Sequence, residues 1–180
     1  MDAEWIYESL ENMTSGVDET QRQRIATHYG PPLTDQMVAA AEAHLGVKLP
    51  QAYIDLLKQI NGGYTINTWI RFERVEQFHK VEELPGVGYS EGLDSECGSK
   101  YKQEEWEYPE GTLWITGDGH TGIFFDYRQC GPQGEPSVLW LDVEEEEEET
   151  IAENVAEFLA ILEEQCQNPI RDEDEEEEDW

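Results

Sequence analysis

Asp118, His120 and Asp126 are the residues of this 180-residue chain best suited by type to hold a metal or move a proton. Carboxylate oxygens and imidazole nitrogens ligate metals, and an imidazole beside a carboxylate is a common acid-base pair. Their spacing argues against both uses. Asp118 and His120 sit two apart on the turn Gly117-Asp118-Gly119-His120-Thr121, whereas Asp126 falls at the far end of the strand predicted next. A calcium loop's alternating ligands and closing glutamate are missing. Two glycines that tolerate positive φ, with an aspartate that bonds its own backbone between them, are accounted for by turn chemistry.

The other reactive residue types are scattered. His28, His44 and His79 have no partners at metal-ligand spacing, and Cys97, Cys130 and Cys166 are odd in number with no CxxC pair. A disulfide framework, a zinc site and a catalytic thiol are therefore not expected. No GxSxG, Walker, GxGxxG, HExxH or Cys-His deaminase pattern is present. The expectation is a non-enzymatic protein with no catalytic residue, metal or cofactor.

Charge carries the stronger signal. Asp and Glu number 42 against 11 Lys and Arg, for a formal charge of −31, and two uninterrupted acidic runs extend from Glu144 to Glu149 and from Asp172 to Asp179. Such runs serve as solvated spacers in many chains. Here the excess persists outside both runs, so the folded part is acidic too. Its field attracts basic surfaces and repels nucleic acid and anionic membrane, which points to a protein partner. No apolar stretch approaches the roughly 18 residues of a membrane span, and the start Met1-Asp2-Ala3-Glu4-Trp5 is acidic where a secretory signal is basic. A cytoplasmic location is expected.

The elements that must present this charge follow from periodicity. Trp5, Ile6, Leu10 and Met13 predict an amphipathic helix capped by Asp2 and ended by Gly16, with a polar helix over Glu19 to Thr27. Gly30-Pro31-Pro32 then breaks the chain. Thr34 caps a helix over Asp35 to Leu45 that ends at Gly46. A second helix starts at Pro50, carries Tyr53, Leu56, Leu57 and Ile60 on one face, and stops at Asn61-Gly62-Gly63. Thr68 to Phe72 alternates as a strand, and Pro85 to Gly98 is loop. Thr112 to Thr116, Gly122 to Tyr127 and Ser137 to Val143 form an antiparallel meander. A last helix begins in a capping box at Thr150-Ile151-Ala152-Glu153, with Ile151, Val155, Phe158, Leu159 and Leu162 in its stripe and the glutamate run before its positive end.

The order Pro32-Leu33-Thr34, Ala41-Glu42, Leu45-Gly46-Val47, Leu49-Pro50 with Tyr53, and Asn61-Gly62-Gly63 resembles the SUKH superfamily of the Smi/Knr type. Ile115-Thr116-Gly117-Asp118-Gly119, Phe124-Phe125-Asp126-Tyr127, the Gly131-to-Pro136 loop, Val138 and the final helix extend the resemblance over about Leu33 to Leu162. It implies an α+β domain with helices packed on a mostly antiparallel, bent sheet. Residues 1–30 would be an N-terminal helical extension, 31–166 the domain and 167–180 an acidic, disordered tail. Bacterial members are mostly immunity proteins that block polymorphic toxins, often nucleases or nucleic-acid deaminases, whereas the fungal namesake regulates cell-wall glucan synthesis.

Toxins that act on nucleic acid have basic clefts, so the resemblance and the charge imply one partner class: a cognate toxin with a basic surface. The residues expected to meet it are Glu144, Glu145, Glu146, Glu147, Glu148 and Glu149, with Asp118 and Asp126 near them on the sheet edge. Apolar anchoring falls to Tyr101 and Trp106, with Trp69 and Trp140 as further candidates that strand alternation places in the core together with Trp114. Two alternatives stay open, a regulatory scaffold of the fungal type and a DNA-mimic inhibitor.

Overall fold

Ser9 decides how the chain begins. Its backbone is extended (φ −70°, ψ 142°) and its side chain accepts from the Asn12 amide, so it starts a new helix and cannot continue an earlier one. In the computed structural model, which describes residues 3–72 and 77–167, the helix expected from Trp5 to Met13 is consequently split. A 3-10 turn over Ala3–Trp5 is followed by a bridge between Tyr7 and Thr65, and only Leu10–Met13 is helical (α1). Ala3, Ile6 and Tyr7 are buried in the main core. The predicted cap Asp2 lies outside the described residues. α2 (Glu19–Ala26) has the Asp18–Gln21 capping box and no buried residue.

α3 (Asp35–Leu45) and α4 (Gln51–Leu57) form as expected. Thr34 caps α3, Val38, Ala41 and Leu45 face the core, and Gly46 closes the helix at φ 80°, a conformation glycine adopts without a Cβ penalty. α4 buries Tyr53, Ile54, Leu56 and Leu57. The Asn61-Gly62-Gly63 stop then leads into β1 (Gly63–Phe72), which pairs antiparallel with β2 (Gln77–Leu84). After the loop at 85–98 comes α5 (Ser99–Glu105), a short helix that hydrophobic periodicity did not signal.

A meander of β3 (Thr112–Gly117), β4 (Thr121–Asp126), β5 (Ser137–Asp142) and β6 (Glu147–Ala152) makes a four-stranded sheet in sequence order, and every ladder is antiparallel. Three of these strands match expectation, and the fourth corrects it. Thr150, Ile151 and Ala152 were expected to open the last helix, but β-branched Thr150 and Ile151 extend, and Thr150 and Ala152 pair with Leu139 and Val138. α6 (Val155–Gln167) starts later, where the Asn154 side chain accepts from the Glu157 amide. The glutamate run therefore lies in a hairpin and does not flank the helix dipole. Beyond Gln167 the expected acidic tail, with Asp172 to Asp179 and Trp180, lies outside the described residues.

Both faces of the meander are covered, which makes the fold class α+β as expected. Leu113, Ile115, Ile123, Phe125, Val138 and Trp140 share the main core with the buried residues of α3, α4 and α6, with Tyr53 edge-on to Phe125 at 5.2 Å. Tyr108, Trp114, Phe124, Leu139 and Leu141 form a second cluster on the opposite face, beside α5. Burying both faces of a sheet is what turns its strands into near-continuous apolar runs.

Asn61 ties the segments around the helical pair. Its buried amide donates to the carbonyls of Pro31 (2.9 Å) and Val87 (3.0 Å), its side-chain oxygen accepts from the Val87 amide (3.0 Å), and its backbone carbonyl accepts from Gly30 (2.9 Å). Asn61→Ala removes three hydrogen bonds, two of them buried, and leaves the Val87 groups without partners. The expected loss is about 2–4 kcal/mol of stability in urea denaturation, with an unchanged m-value.

Candidate partner-binding surface

The hairpins β3–β4 and β5–β6 end on the same side of the sheet, and one backbone bond joins them: the Val143 amide donates to the His120 carbonyl at 3.0 Å. Each turn is built by an aspartate. Asp118 Oδ1 accepts from the His120 and Thr121 amides (3.1 and 2.9 Å) and from the Thr121 hydroxyl (3.2 Å). Burial alone would raise the Asp118 carboxyl, but these hydrogen bonds win and hold it below its ordinary value. Asp142 does the same work for the glutamate run, accepting from the amides of Glu144 (2.9 Å) and Glu145 (3.0 Å). Glu146 completes that turn at φ 53°, where a residue with a Cβ is uncommon.

This joint brings several expected residues together. His120 Nδ1 lies 2.9 Å from Glu144, and its ring stands edge-on to Trp106 at 5.4 Å. The indole also covers Gly119, where an added Cβ would come within 2.6 Å of the ring, so only glycine permits that approach. Trp106 is nevertheless 39% exposed. An exposed indole, two carboxylates and an imidazole thus share one corner. His120 drew attention in the sequence as an acid-base candidate, and its observed contacts make it the bridge between the two turns.

The remaining expected residues are placed differently. Glu147, Glu148 and Glu149 lie on β6, the last strand of the sheet, with Glu148 on the same face as Leu141 and exposed. Asp126 is at the opposite end of β4 from the Asp118 turn, so Asp118, His120 and Asp126 do not converge. It is only 7% exposed, which departs from the outward-facing role expected of it. Arg128 accounts for that, since Nε and one terminal nitrogen donate to the two Asp126 oxygens at 2.9 and 2.8 Å while the other terminal nitrogen reaches Glu148 at 3.0 Å. Burial pushes the Asp126 carboxyl up, yet Arg128 holds it below its ordinary value. Tyr101 is 48% exposed on α5 but about 140° round the helix from Trp106 by the 3.6-residue period, on another face. Trp114 and Trp140 are buried, and Trp69 is partly covered.

Arg128 and Lys102 went unnoticed in the sequence. Lys102 lies over the Trp114 ring at 3.4 Å, and burial lowers its amine despite the opposing charges of Glu83, Glu91 and Cys97. A lone basic residue two positions after Asp126 was the available signal for Arg128. All three cysteines are free thiols. Among the described residues no group of three or more His, Cys, Asp or Glu is arranged to hold a metal, and no helix is long and apolar enough to cross a membrane.

Fold and surface together define an α+β domain that presents carboxylates and an exposed indole at the ends of a two-faced antiparallel meander. A family model described as the SMI1 / KNR4 family (SUKH-1) matches residues 32–161, and the chain belongs to that family. A search of curated proteins gave no match.

The Asp126–Arg128 clamp has a pH signature. A carboxyl held below its ordinary value of 3.8 contributes stability that is complete above that value and is lost as pH falls through the folded value. Arg128→Ala is expected to lower stability at pH 7 by about 1–2 kcal/mol and to flatten its decline below pH 4, as read by urea melts across pH.

Proposed function

We propose that this chain is a non-enzymatic immunity protein that works in the cytoplasm, where it binds and neutralises a cognate polymorphic toxin domain, a basic nuclease or nucleic-acid deaminase, through its acidic surface. Domains of the family typically bind partner toxin proteins and are in general non-enzymatic. The observation that carries the reading is the Trp106–His120–Glu144 corner beside Asp118, which puts an exposed aromatic anchor amid carboxylates. Interfaces draw their affinity from such anchors, while charge sets the rate and selectivity of encounter.

Glu144 to Glu149 supply the charge and Trp106 the anchor, with Tyr101 on a neighbouring face. Asp126 acts indirectly, because it positions Arg128 and through it Glu148. Carboxylates in this role replace substrate phosphates in a basic cleft. A regulatory scaffold of the fungal type would use the same surface on a different protein, and a DNA mimic would use it on a nucleic-acid-binding partner.

Tagged protein should capture one basic toxin-domain protein from its native cell, and adding it back should abolish that protein's activity on nucleic acid. Trp106→Ala is expected to weaken the complex by roughly 2 kcal/mol, about 30-fold. Replacing Glu144 to Glu149 with glutamine is expected to slow association and remove most of its salt dependence. Capture of cell-wall or signalling proteins alone would refute the immunity reading, and unchanged affinity and salt dependence in the glutamine-run variant would refute the surface.

A further inference from the structure

Among the asparagines of the chain only Asn61 precedes a glycine, whereas Asn12, Asn67, Asn154 and Asn168 precede Met13, Thr68, Val155 and Pro169. Glycine has no Cβ to shield its backbone nitrogen, and the backbone on either side of it turns freely, so that nitrogen can reach the side-chain carbonyl of an asparagine before it. For this pair the Gly62 N–H bond and the Asn61 Cγ–Nδ2 bond break, a bond from the Gly62 nitrogen to Cγ forms, and the proton leaves with the side-chain nitrogen as ammonia. Water then opens the cyclic imide at either carbonyl and leaves aspartate or isoaspartate at position 61. No oxidant or reductant takes part.

The folded chain opposes every part of this reaction. Asn61 is 4% exposed, which keeps water and base away. Both amide atoms are engaged, Nδ2 with the Pro31 and Val87 carbonyls and Oδ1 with the Val87 amide, so a turn of the side chain towards Gly62 breaks these bonds. The nucleophile is occupied too, because the Gly62 amide donates to the Ile60 carbonyl at 3.0 Å. Gly30 and Gly86 close the cage, since a Cβ on either would overlap the Asn61 side-chain amide.

Neither product can rebuild what the amide holds together. A carboxylate still accepts from the Val87 amide, but it has no N–H for the Pro31 and Val87 carbonyls and sets negative charge against both in a buried place. Isoaspartate also lengthens the backbone by a carbon where the Asn61 carbonyl accepts from Gly30 and where Gly62 turns at φ 84°.

We infer that Asn61-Gly62 is a fold-gated deamidation site: the native hydrogen bonds protect it, and opening of the segments around them exposes it to a reaction after which the domain does not re-form. Unfolding of this chain is thus reversible only while Asn61 survives in the open state.

The full chain is held at mildly alkaline pH in buffer and in guanidinium chloride, and conversion at position 61 is followed by peptide mass mapping. Conversion is expected to run at least about tenfold faster in the denaturant, because a reaction that needs the open form tracks its population. Asn12, Asn67 and Asn154 should lag behind Asn61 in the denaturant. On dilution, the fraction that regains native tryptophan fluorescence is expected to fall in step with the converted fraction, and Asn61→Asp, the authentic product, to show no cooperative native melt. Tyr89→Phe removes the hydroxyl that joins Gly86 to His28 beside the knot, and should speed conversion in buffer at least about threefold. If that variant does not fold, its rate in buffer should equal the rate in denaturant. Equal rates for the native chain in buffer and denaturant, an unchanged rate in Tyr89→Phe, full refolding after conversion, or a native-like melt of Asn61→Asp overturns the inference.

Discussion

One buried amide fixes how the segments around the helical pair meet. Asn61 follows α4 and satisfies both the 30–31 segment and Val87 at once, because it carries donors and an acceptor on one short stem. Tyr89 extends the knot: its hydroxyl donates to the His28 carbonyl at 3.0 Å and accepts from the Gly86 amide at 2.8 Å. Gly62 and Gly86 leave the space in which these groups meet. His28 is thereby held against Glu83, and β2 against the rest of the domain.

The molecule manages its acidity with few cations placed where carboxylates would otherwise conflict. Arg128 secures Asp126 and Glu148, and Lys48 meets Glu42 at 2.7 Å. Lys102 is occupied by the Trp114 ring. Pairs as open to solvent as Arg128–Glu148 contribute at most about 1 kcal/mol each, so they shape the surface more than they stabilise it. At the turn from Glu144 to Glu146, a left-handed glutamate and an aspartate-built turn hold charge outward. Three glutamates in a terminal strand have poor β-propensity, and they also discourage that strand from pairing with another copy of the chain.

Covering both faces of the meander leaves its ends as the surface on which chemistry can vary. The strands are locked by apolar contacts on each side, whereas the turns at Asp118 and Glu144 meet the second apolar cluster through Val143 and Tyr108, whose hydroxyl donates to the Gly119 carbonyl at 2.8 Å.

Local signals in the sequence settled what local physics controls. Thr34 and Gly46 bounded α3, the glycine-bearing turns delimited β3, β4 and β5, and the order of these signals pointed to the SMI1 / KNR4 family that residues 32–161 match. The carboxylate runs were equally legible. Tertiary pairing decided the rest. Periodicity cannot see that Ile6 and Tyr7 are needed beside β1, that Ile151 and Ala152 complete a strand before α6, or that Arg128 turns Asp126 inward. The first two outcomes depend on partners many residues away and the third on the burial that the sheet imposes on Asp126, and the energy of a buried contact is fixed by which surfaces meet, a property that no single segment encodes.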